Sequence, residues 1–533
     1  MADIANYLNV EKPCTLFKSV FSTPYFVDKS LMLEELASCK HICVTRPRRF
    51  GKSVMATMIA SYFGKGIDSS DVFSKLKICK SKVLKQPLNS ENVIFITLNQ
   101  FPRNCQTYKQ YIDSINDNLL SDLREAYPDV ERKTNDPIIL LEEIHGVTGE
   151  SFMFVLDEWD FIFDASFAKP QDKKDYLDFL RNLLKDRSYV SMAYMTGILP
   201  IAKYSSGSDL NMFSEYTFAS SKFSEYFGFS ESEVDDLFKC YMAKTTKPKK
   251  VTREGLKNWY SGYFLPNGEK IYNPFSIVSA LDGNQVGSYW TNTGPRDEIF
   301  FCLEKYGSDM RRDLALLISS EPVYVKFTAN AISPSATFDS KDETLSAMAL
   351  YGLLTINDSI ASIPNLEIME KFISLLYKKS SLGYLHSLAS QSLLMFSSTL
   401  EMDIYEVTRI LDEQDEFEPP VFTYGNEYDL SAIVNIAYLS ARESYDIVRD
   451  NKDGKDHVIF LFFPYVRTDE CIILAMEYDS DPDDLLEKIK DNKYPQAFKG
   501  TSWPYTGKLL LVGISCSRDL KYFSSAIEMR ESF

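Results

Sequence analysis

What the 533-residue chain lacks narrows the field first. No stretch approaches the ~20 consecutive apolar residues that a membrane span requires, so no membrane partner is expected. The nine cysteines are scattered without a CxxC pair and the four histidines lie far apart. That usage predicts free thiols in a reducing compartment rather than a zinc site. The N-terminus, MADIANYLNVEKPCTLF, has neither a basic start with an apolar block nor an Arg-rich, acid-poor character. An intracellular location, cytoplasmic or nuclear, is therefore expected. Positive charge is also in deficit, with a formal net charge of −17. The chain as a whole is not a nucleic-acid wrapper, and any contact with phosphate has to come from local patches. A nucleic-acid partner stays open but without support from net charge; a protein partner or self-association is open as well.

What is present is ordinary soluble composition, 45% hydrophobic and 25% charged, at a length that calls for two to four domains. Up to about residue 243, short apolar runs alternate with amphipathic stretches, the pattern of a parallel α/β sheet flanked by helices. His41–Thr45, Val93–Leu98, Phe152–Leu156 and Val190–Met195 read as strands buried on both faces. A polar stretch, KTTKPKKVTR, reads as a solvated linker, with a nucleic-acid contact as the alternative. Residues 244–400 then form an aromatic-rich and mainly helical middle region, with a hairpin-like stretch at YGLLTINDSIASIPN. Its Trp259, Tyr260, Tyr263, Tyr272 and Trp290 lack a neighbouring basic run, which favours packing between domains over a base-stacking platform. Residues 401–533 read as a second α/β domain, with strands at VIFLFF, CIILAMEY and KLLLVGIS.

A further absence lies inside the stretch that carries the chemistry, HICVTRPRRFGKSVMATMIASYF. Gly51-Lys52-Ser53 ends it as a phosphate-binding loop should, between an apolar strand and a helix whose N–H groups favour bound phosphate. Lys52 would reach the outer phosphates and the Ser53 hydroxyl would hold magnesium. In GxxxxGK[ST], however, the first glycine falls on Arg46, followed by Pro47, Arg48, Arg49 and Phe50. By pattern alone this is either a nucleotide site with an unusual front half or a basic turn that spells GKS. FMFVLDEWD adds a carboxylate at a strand end, Asp157, suited to the magnesium-water shell. Glu158 follows, placed to orient or deprotonate a water. A third strand ends in MTGILP, where Thr196 either senses the terminal phosphate or caps the next turn.

The stretches PYFVDKS, VTRPRRFGKS, VLDEWD, MTGILPIAK, FGFSESEV, NWYSGYF, IYNPFSI, YWTNTG and SIPNLEI resemble, in order, the AAA-ATPase-like family. Its members carry a nuclease-like domain of the PD-(D/E)XK superfamily at the C-terminus. In that family the loop is typically written RPRRFGK followed by Ser or Thr, so Arg46 is a family feature. The resemblance implies ATP and Mg²⁺ as cofactors, bound through Arg46–Val54. It assigns Lys52 and Ser53 to nucleotide and magnesium, and Asp157 and Glu158 to the Walker B pair. Arg181 and Arg187, which follow the acidic strand, are candidates for an arginine finger by position alone.

PD-(D/E)XK nucleases gather carboxylates around Mg²⁺ and add a lysine two residues beyond the last one. The resemblance aligns Glu427 with the helix carboxylate and Asp456 with the strand-leading aspartate. In CIILAMEYDSD it sets Ala475 where a metal-binding carboxylate belongs and Glu477 where the lysine belongs. A shift by two makes Glu477 the ligand but replaces the lysine by Asp479. Either register describes a degenerate site. The expectation is an ATP-binding, ATP-hydrolysing P-loop protein whose nucleotide state controls an inactive nuclease-like recognition domain. The alternatives are an active ATP-regulated Mg²⁺-dependent nuclease and a non-enzymatic interaction protein with vestigial sites.

Overall fold

The computed structural model describes residues 6–130, 134–201, 204, 210–244, 248–293, 310–327, 340–413, 420–450, 457–491, 494–498 and 505–531. Asp456, Cys302 and part of the expected linker (245–247) lie outside them. The cysteines within them are all free thiols. No helix among the described residues is long and apolar enough to cross a membrane. The chain divides into two compact units. The first comprises Met1–Pro295, Val325–Ser359 and Pro364–Glu367, the second Arg296–Tyr324, Ile360–Ile363 and Ile368–Phe533. The middle region expected over 244–400 is thus shared between both.

The first unit is built on five parallel strands: β1 (His41–Thr45), β2 (Asn92–Thr97), β3 (Phe152–Asp157), β4 (Val190–Gly197) and β5 (Ser214–Tyr216). They lie in the order β2-β3-β4-β1-β5. Alternation along each strand feeds two apolar layers, which is why the runs read as continuously hydrophobic. Cys43, Ile94, Phe154 and Met195 enter one layer, Val44, Phe95, Val155 and Tyr194 the other. Helix α1 (Lys12–Phe21) packs on α2 (Lys52–Phe63), which follows β1. Two crossover helices start on local caps. Thr107 accepts from the Gln110 N–H to open α3 (Tyr108–Ala126). Asp136 accepts from Ile138 to open α4 (Pro137–Thr148), with Pro137 fixing its first turn. Helix α5 (Pro170–Leu184) returns the chain to β4.

The aromatic stretch belongs to the first unit. Helix α6 (Pro274–Gly283) starts on Asn273, whose side chain accepts from the Ser276 N–H. Tyr260, Tyr263, Tyr272 and Trp290 are buried, whereas Trp259 is partly buried and packs at the edge of a core cluster. They pack within the first unit, whereas the sequence favours packing between domains. The buried Glu367 carboxylate accepts from the Tyr289 and Trp290 N–H groups at 2.6 Å and from the Ser276 hydroxyl at 2.7 Å. Gly262 (φ +109°) is obligatory, since a Cβ there would lie 1.9 Å from the Pro364 carbonyl oxygen. The stretch read as a hairpin holds two short strands, Thr355–Asn357 and Ile360–Ser362.

The second unit carries a mixed sheet of β6 (Tyr445–Asp450), β7 (His457–Pro464), β8 (Cys471–Tyr478), β9 (Leu509–Cys516) and β10 (Phe523–Arg530), in that order. Only β8 and β9 pair in parallel; the other neighbours are antiparallel. Helix α7 (Glu427–Ala437) precedes the sheet and α8 (Pro482–Asp491) makes the crossover that a parallel pair requires. Ile459, Ile473, Ala475 and Leu511 share an apolar cluster with Leu485 and Ile489 of α8.

Candidate functional site

β1 ends at Thr45 and α2 begins at Lys52, so the loop between has to reverse direction in six residues. It does so with left-handed backbone at Arg49 (φ +70°) and Gly51 (φ +93°). The second position has no strain for glycine, while arginine at the first is held in a sparsely populated region.

The three loop arginines behave differently. Arg46 is 1% exposed: its Nη1 donates to the Thr45 and Tyr216 carbonyls, both at 2.8 Å, and its guanidinium carbon sits 4.8 Å from the Phe227 ring centre. Burial beside carbonyls rather than carboxylates pulls this guanidinium below the usual arginine range. Its backbone N–H donates to the Gly197 carbonyl at 3.1 Å. In the place of the expected glycine, then, stands a brace linking β1 to β5 and β4. Pro47 is buried against Gly352, where an added Cβ would come within 2.8 Å of the proline Cβ. Phe50 is buried in a cluster with Tyr263 and Phe218, ring centres 5.0 and 5.8 Å away. Arg49 lies over Phe275 of α6 at 4.6 Å. Arg48, Arg49, Phe50, Gly51, Lys52, Ser53 and Val54 line a cavity of about 750 Å³; Arg46 and Pro47 do not.

Lys52 is buried, and its Nζ donates to the Arg46 and Pro47 carbonyls at 2.9 and 3.0 Å. Burial lowers its ammonium to about 8, opposed by the charges of Asp160, Asp157 and Glu158. Ser53 is exposed at the first turn of α2 and faces the same cavity. Opposite, Glu158 follows β3 with left-handed backbone (φ +55°). Burial, followed by the Asp157 charge, raises its carboxyl above the ordinary range. Asn99, just beyond β2, donates through Nδ2 to its Oε2.

Asp157 and Thr196 lie one layer behind. Thr196 is fully buried; its hydroxyl donates to Asp157 Oδ1 and accepts from the Glu158 N–H at 3.3 Å. Of the two roles open from sequence, neither describes it: the hydroxyl holds the acidic pair in place. Asp160 accepts at Oδ2 from the Ile198 and Leu199 N–H groups at 2.7 and 3.2 Å and so fixes the turn after β4. Asn99 and Asp160 escaped the sequence reading. Their signals were present: a polar residue just past a parallel strand, and the last letter of VLDEWD. The same cavity is also lined by the apolar side chains of Phe17, Phe26, Met58, Phe229 and Val278.

Of the second candidate site, Glu427, Ala475 and Glu477 are among the described residues and Asp456 is not. Glu427 is partly exposed in the first turn of α7. Ala475 is 4% exposed between Ile459 of β7 and Gly513 of β9. Glu477 accepts from Lys488 Nζ of α8 at 2.6 Å. The spacing offers no lysine there, but the crossover helix supplies one, consumed in an ion pair. Among the described residues no group of three or more His, Cys, Asp or Glu could hold a metal. The buried carboxylate of α7 is Asp429, bonded to Arg312 Nε at 2.8 Å and to the Thr423 and Tyr424 N–H groups. Arg181 and Arg187 lie in the first unit, paired with Asp178 at 2.8 Å and Glu142 at 2.5 Å.

Residues 17–206 match the family model described as predicted AAA-ATPase. A curated protein of Azotobacter chroococcum mcd 1, described as an uncharacterized protein in the vnfD 5′ region, is 25% identical over 284 residues. That match covers 51% of each chain, so this chain spans about half the length of the curated relative. A Walker-type ATPase of Pyrococcus abyssi is similar with a TM-score of 0.36 at 12% identity, over 64% of this chain and 94% of that one. The ORC2 protein of Aeropyrum pernix has a TM-score of 0.30 at 10% identity, over 70% and 95%. Likeness at this level does not extend to function.

Proposed function

We propose that the first unit binds ATP with Mg²⁺ and hydrolyses it to ADP and phosphate. The observation that carries the reading is the convergence of Lys52, Ser53 and Glu158 on one cavity, at the end of a parallel sheet where a helix N-terminus opens. A volume of about 750 Å³ suits a nucleoside triphosphate, with the apolar lining residues for the base. The donor set fits magnesium: Ser53 offers a hard oxygen at the cavity, and Asp157, one layer behind, would act through the ion's water shell. When bound there, Mg²⁺ would offset the phosphate charge. Lys52 would exchange its two loop carbonyls for phosphate oxygens, recovering the charge that burial disfavours. Glu158, its proton affinity raised by burial and its carboxylate steered by Asn99, would take the proton of the attacking water. Thr196 keeps Asp157 and the Glu158 backbone in register for both tasks.

For the second unit we propose a nuclease-like fold without cleavage activity, used for recognition under control of the nucleotide state. The helix–strands–crossover order supports the first part, and the buried Ala475 with the Lys488–Glu477 pair supports the second. The test is ATP turnover by wild type, Lys52→Ala and Glu158→Gln, with and without DNA or RNA. Turnover in wild type, loss of binding in Lys52→Ala and binding without turnover in Glu158→Gln are expected. Unchanged turnover in Lys52→Ala would sink the assignment. Mg²⁺-dependent cleavage of DNA or RNA by the wild type would restore the nuclease reading.

A further inference from the structure

The carboxylate assigned to the water proton sits on strained backbone: Glu158 has φ +55° and ψ +49°. For a glutamate this left-handed region is sparsely populated, and it persists only where the surroundings hold it. Here they hold it from both sides, and both holds come from the end of β4. Ahead of it, the Thr196 hydroxyl donates to Asp157 and accepts from the Glu158 N–H at 3.3 Å. Behind it, Asp160 is 7% exposed, and its Oδ2 accepts from the Ile198 and Leu199 N–H groups at 2.7 and 3.2 Å. Trp159, between the two acids, is fully buried, and its carbonyl accepts from the Tyr176 hydroxyl at 2.7 Å. Its indole presses on the same strand end, where a Cβ added at Gly197 would lie 2.5 Å from Nε1 and 3.1 Å from the Asp160 Cγ. That strand end also reaches the phosphate loop. The Gly197 carbonyl accepts from the Arg46 N–H at 3.1 Å, and the Arg46 carbonyl from Lys52 Nζ at 2.9 Å.

We propose that Asp160 is a positioning residue for hydrolysis: by anchoring to the turn after β4 it keeps Glu158 in its left-handed conformation, aimed at the attacking water. The inference rests on the ATPase reading above. Asp160 lines the same cavity, but its Oδ2 is committed to two backbone donors, so its task is geometric and Glu158 keeps the chemistry. Without the anchor the Glu158 backbone relaxes toward the right-handed region and swings its side chain. A displacement of about 1 Å at a reacting group lowers a rate on the order of 100-fold. The task needs an acceptor and not a charge. The amide oxygen of an asparagine can accept both N–H groups, whereas an alanine side chain accepts neither.

The experiment measures steady-state ATP turnover of the full chain, together with the affinity and stoichiometry of a fluorescent, non-hydrolysable ATP analogue. The proteins are wild type, Asp160→Ala, Asp160→Asn, Gly197→Ala and Lys52→Ala. The expected result is a kcat per analogue-binding molecule on the order of 100-fold lower in Asp160→Ala, with affinity within about threefold of wild type. Asp160→Asn should keep kcat within about fivefold of wild type, since neutral hydrogen bonds replace charge-assisted ones. Gly197→Ala, whose methyl group has to push Trp159 and Asp160 off the turn, should lose kcat as Asp160→Ala does. Unchanged kcat in Asp160→Ala, or an affinity loss as large as its kcat loss, overturns the proposal. Equal losses in Asp160→Asn and Asp160→Ala would assign the effect to charge and overturn it as well. Stoichiometric analogue binding shows that a variant is folded. If Asp160→Ala is not, the other two variants decide, because a hundredfold loss in Asp160→Asn or full kcat in Gly197→Ala overturns the proposal. A wild type without turnover would overturn the ATPase reading itself, whereas Lys52→Ala reports on binding separately.

Discussion

The two units answer the same question in opposite ways. In each, the sequence singles out charged residues at the ends of strands. In the first they face a shared cavity, and the cost of burying them appears as shifted proton affinities: Lys52 is pulled down and Glu158 pushed up. In the second the charges satisfy one another. Lys488 meets Glu477, Arg312 meets Asp429, and Ala475 is buried in an apolar cluster. Perturbed, partly unsatisfied charge marks a site poised for a ligand, whereas neutralised pairs mark structure.

The largest expected effect tests how the loop is anchored. Phe50→Ala removes a buried ring from the Tyr263–Phe218 cluster and should destabilise the first unit by about 3–5 kcal/mol. Thermal unfolding reads it, and an unchanged midpoint would show that the cluster does not hold the loop. Next, Ala475→Glu puts a carboxylate among apolar neighbours and should cost at least about 2 kcal/mol. It should destabilise the second unit without producing Mg²⁺-dependent cleavage; cleavage by this variant would erase the contrast between the units. The third effect is on pH dependence. Free Lys52 titrates near 8, and bound phosphates would return it toward the ordinary lysine range, so the complex holds the extra proton. ATP affinity should therefore fall above about pH 8, by at most roughly tenfold per pH unit. A titration flat up to pH 10 would mean that Lys52 does not contact the phosphates. Last, Lys488→Ala breaks a half-exposed pair and should change stability by less than about 1 kcal/mol. A larger loss would mean that the pair carries structural weight in the second unit.

Much of the first unit was legible in the chain because strands buried on both faces leave continuous apolar runs, and HICVT, VIFITL, FMFVL and VSMAYM all fall on strands, with Leu98 just past the end of its own. The back half of the loop was legible because Gly51, Lys52 and Ser53 act locally. Its front half was not. Whether Arg46 reaches phosphate or braces the fold depends on Tyr216 and Phe227, more than 160 residues away in sequence. The same holds for Thr196 and Asn99, whose partners lie on or just beyond β3. Lys488 was missed for a similar reason: a helix brings it to a position that strand spacing alone leaves empty.

Gly262 against Pro364, and Pro47 against Gly352, have a further consequence for how the protein is made. The first unit is not continuous in the chain: its last pieces, Val325–Ser359 and Pro364–Glu367, come after a segment that belongs to the other unit. During synthesis the sheet and its β1–α2 loop emerge first but lack those contacts until the ribosome has passed residue 367, well inside the second unit's sequence. A fragment cut at the end of the sheet region would leave Phe50 and Pro47 facing water in place of Tyr263 and Gly352. The first unit can therefore be completed only on a chain that has already begun the second.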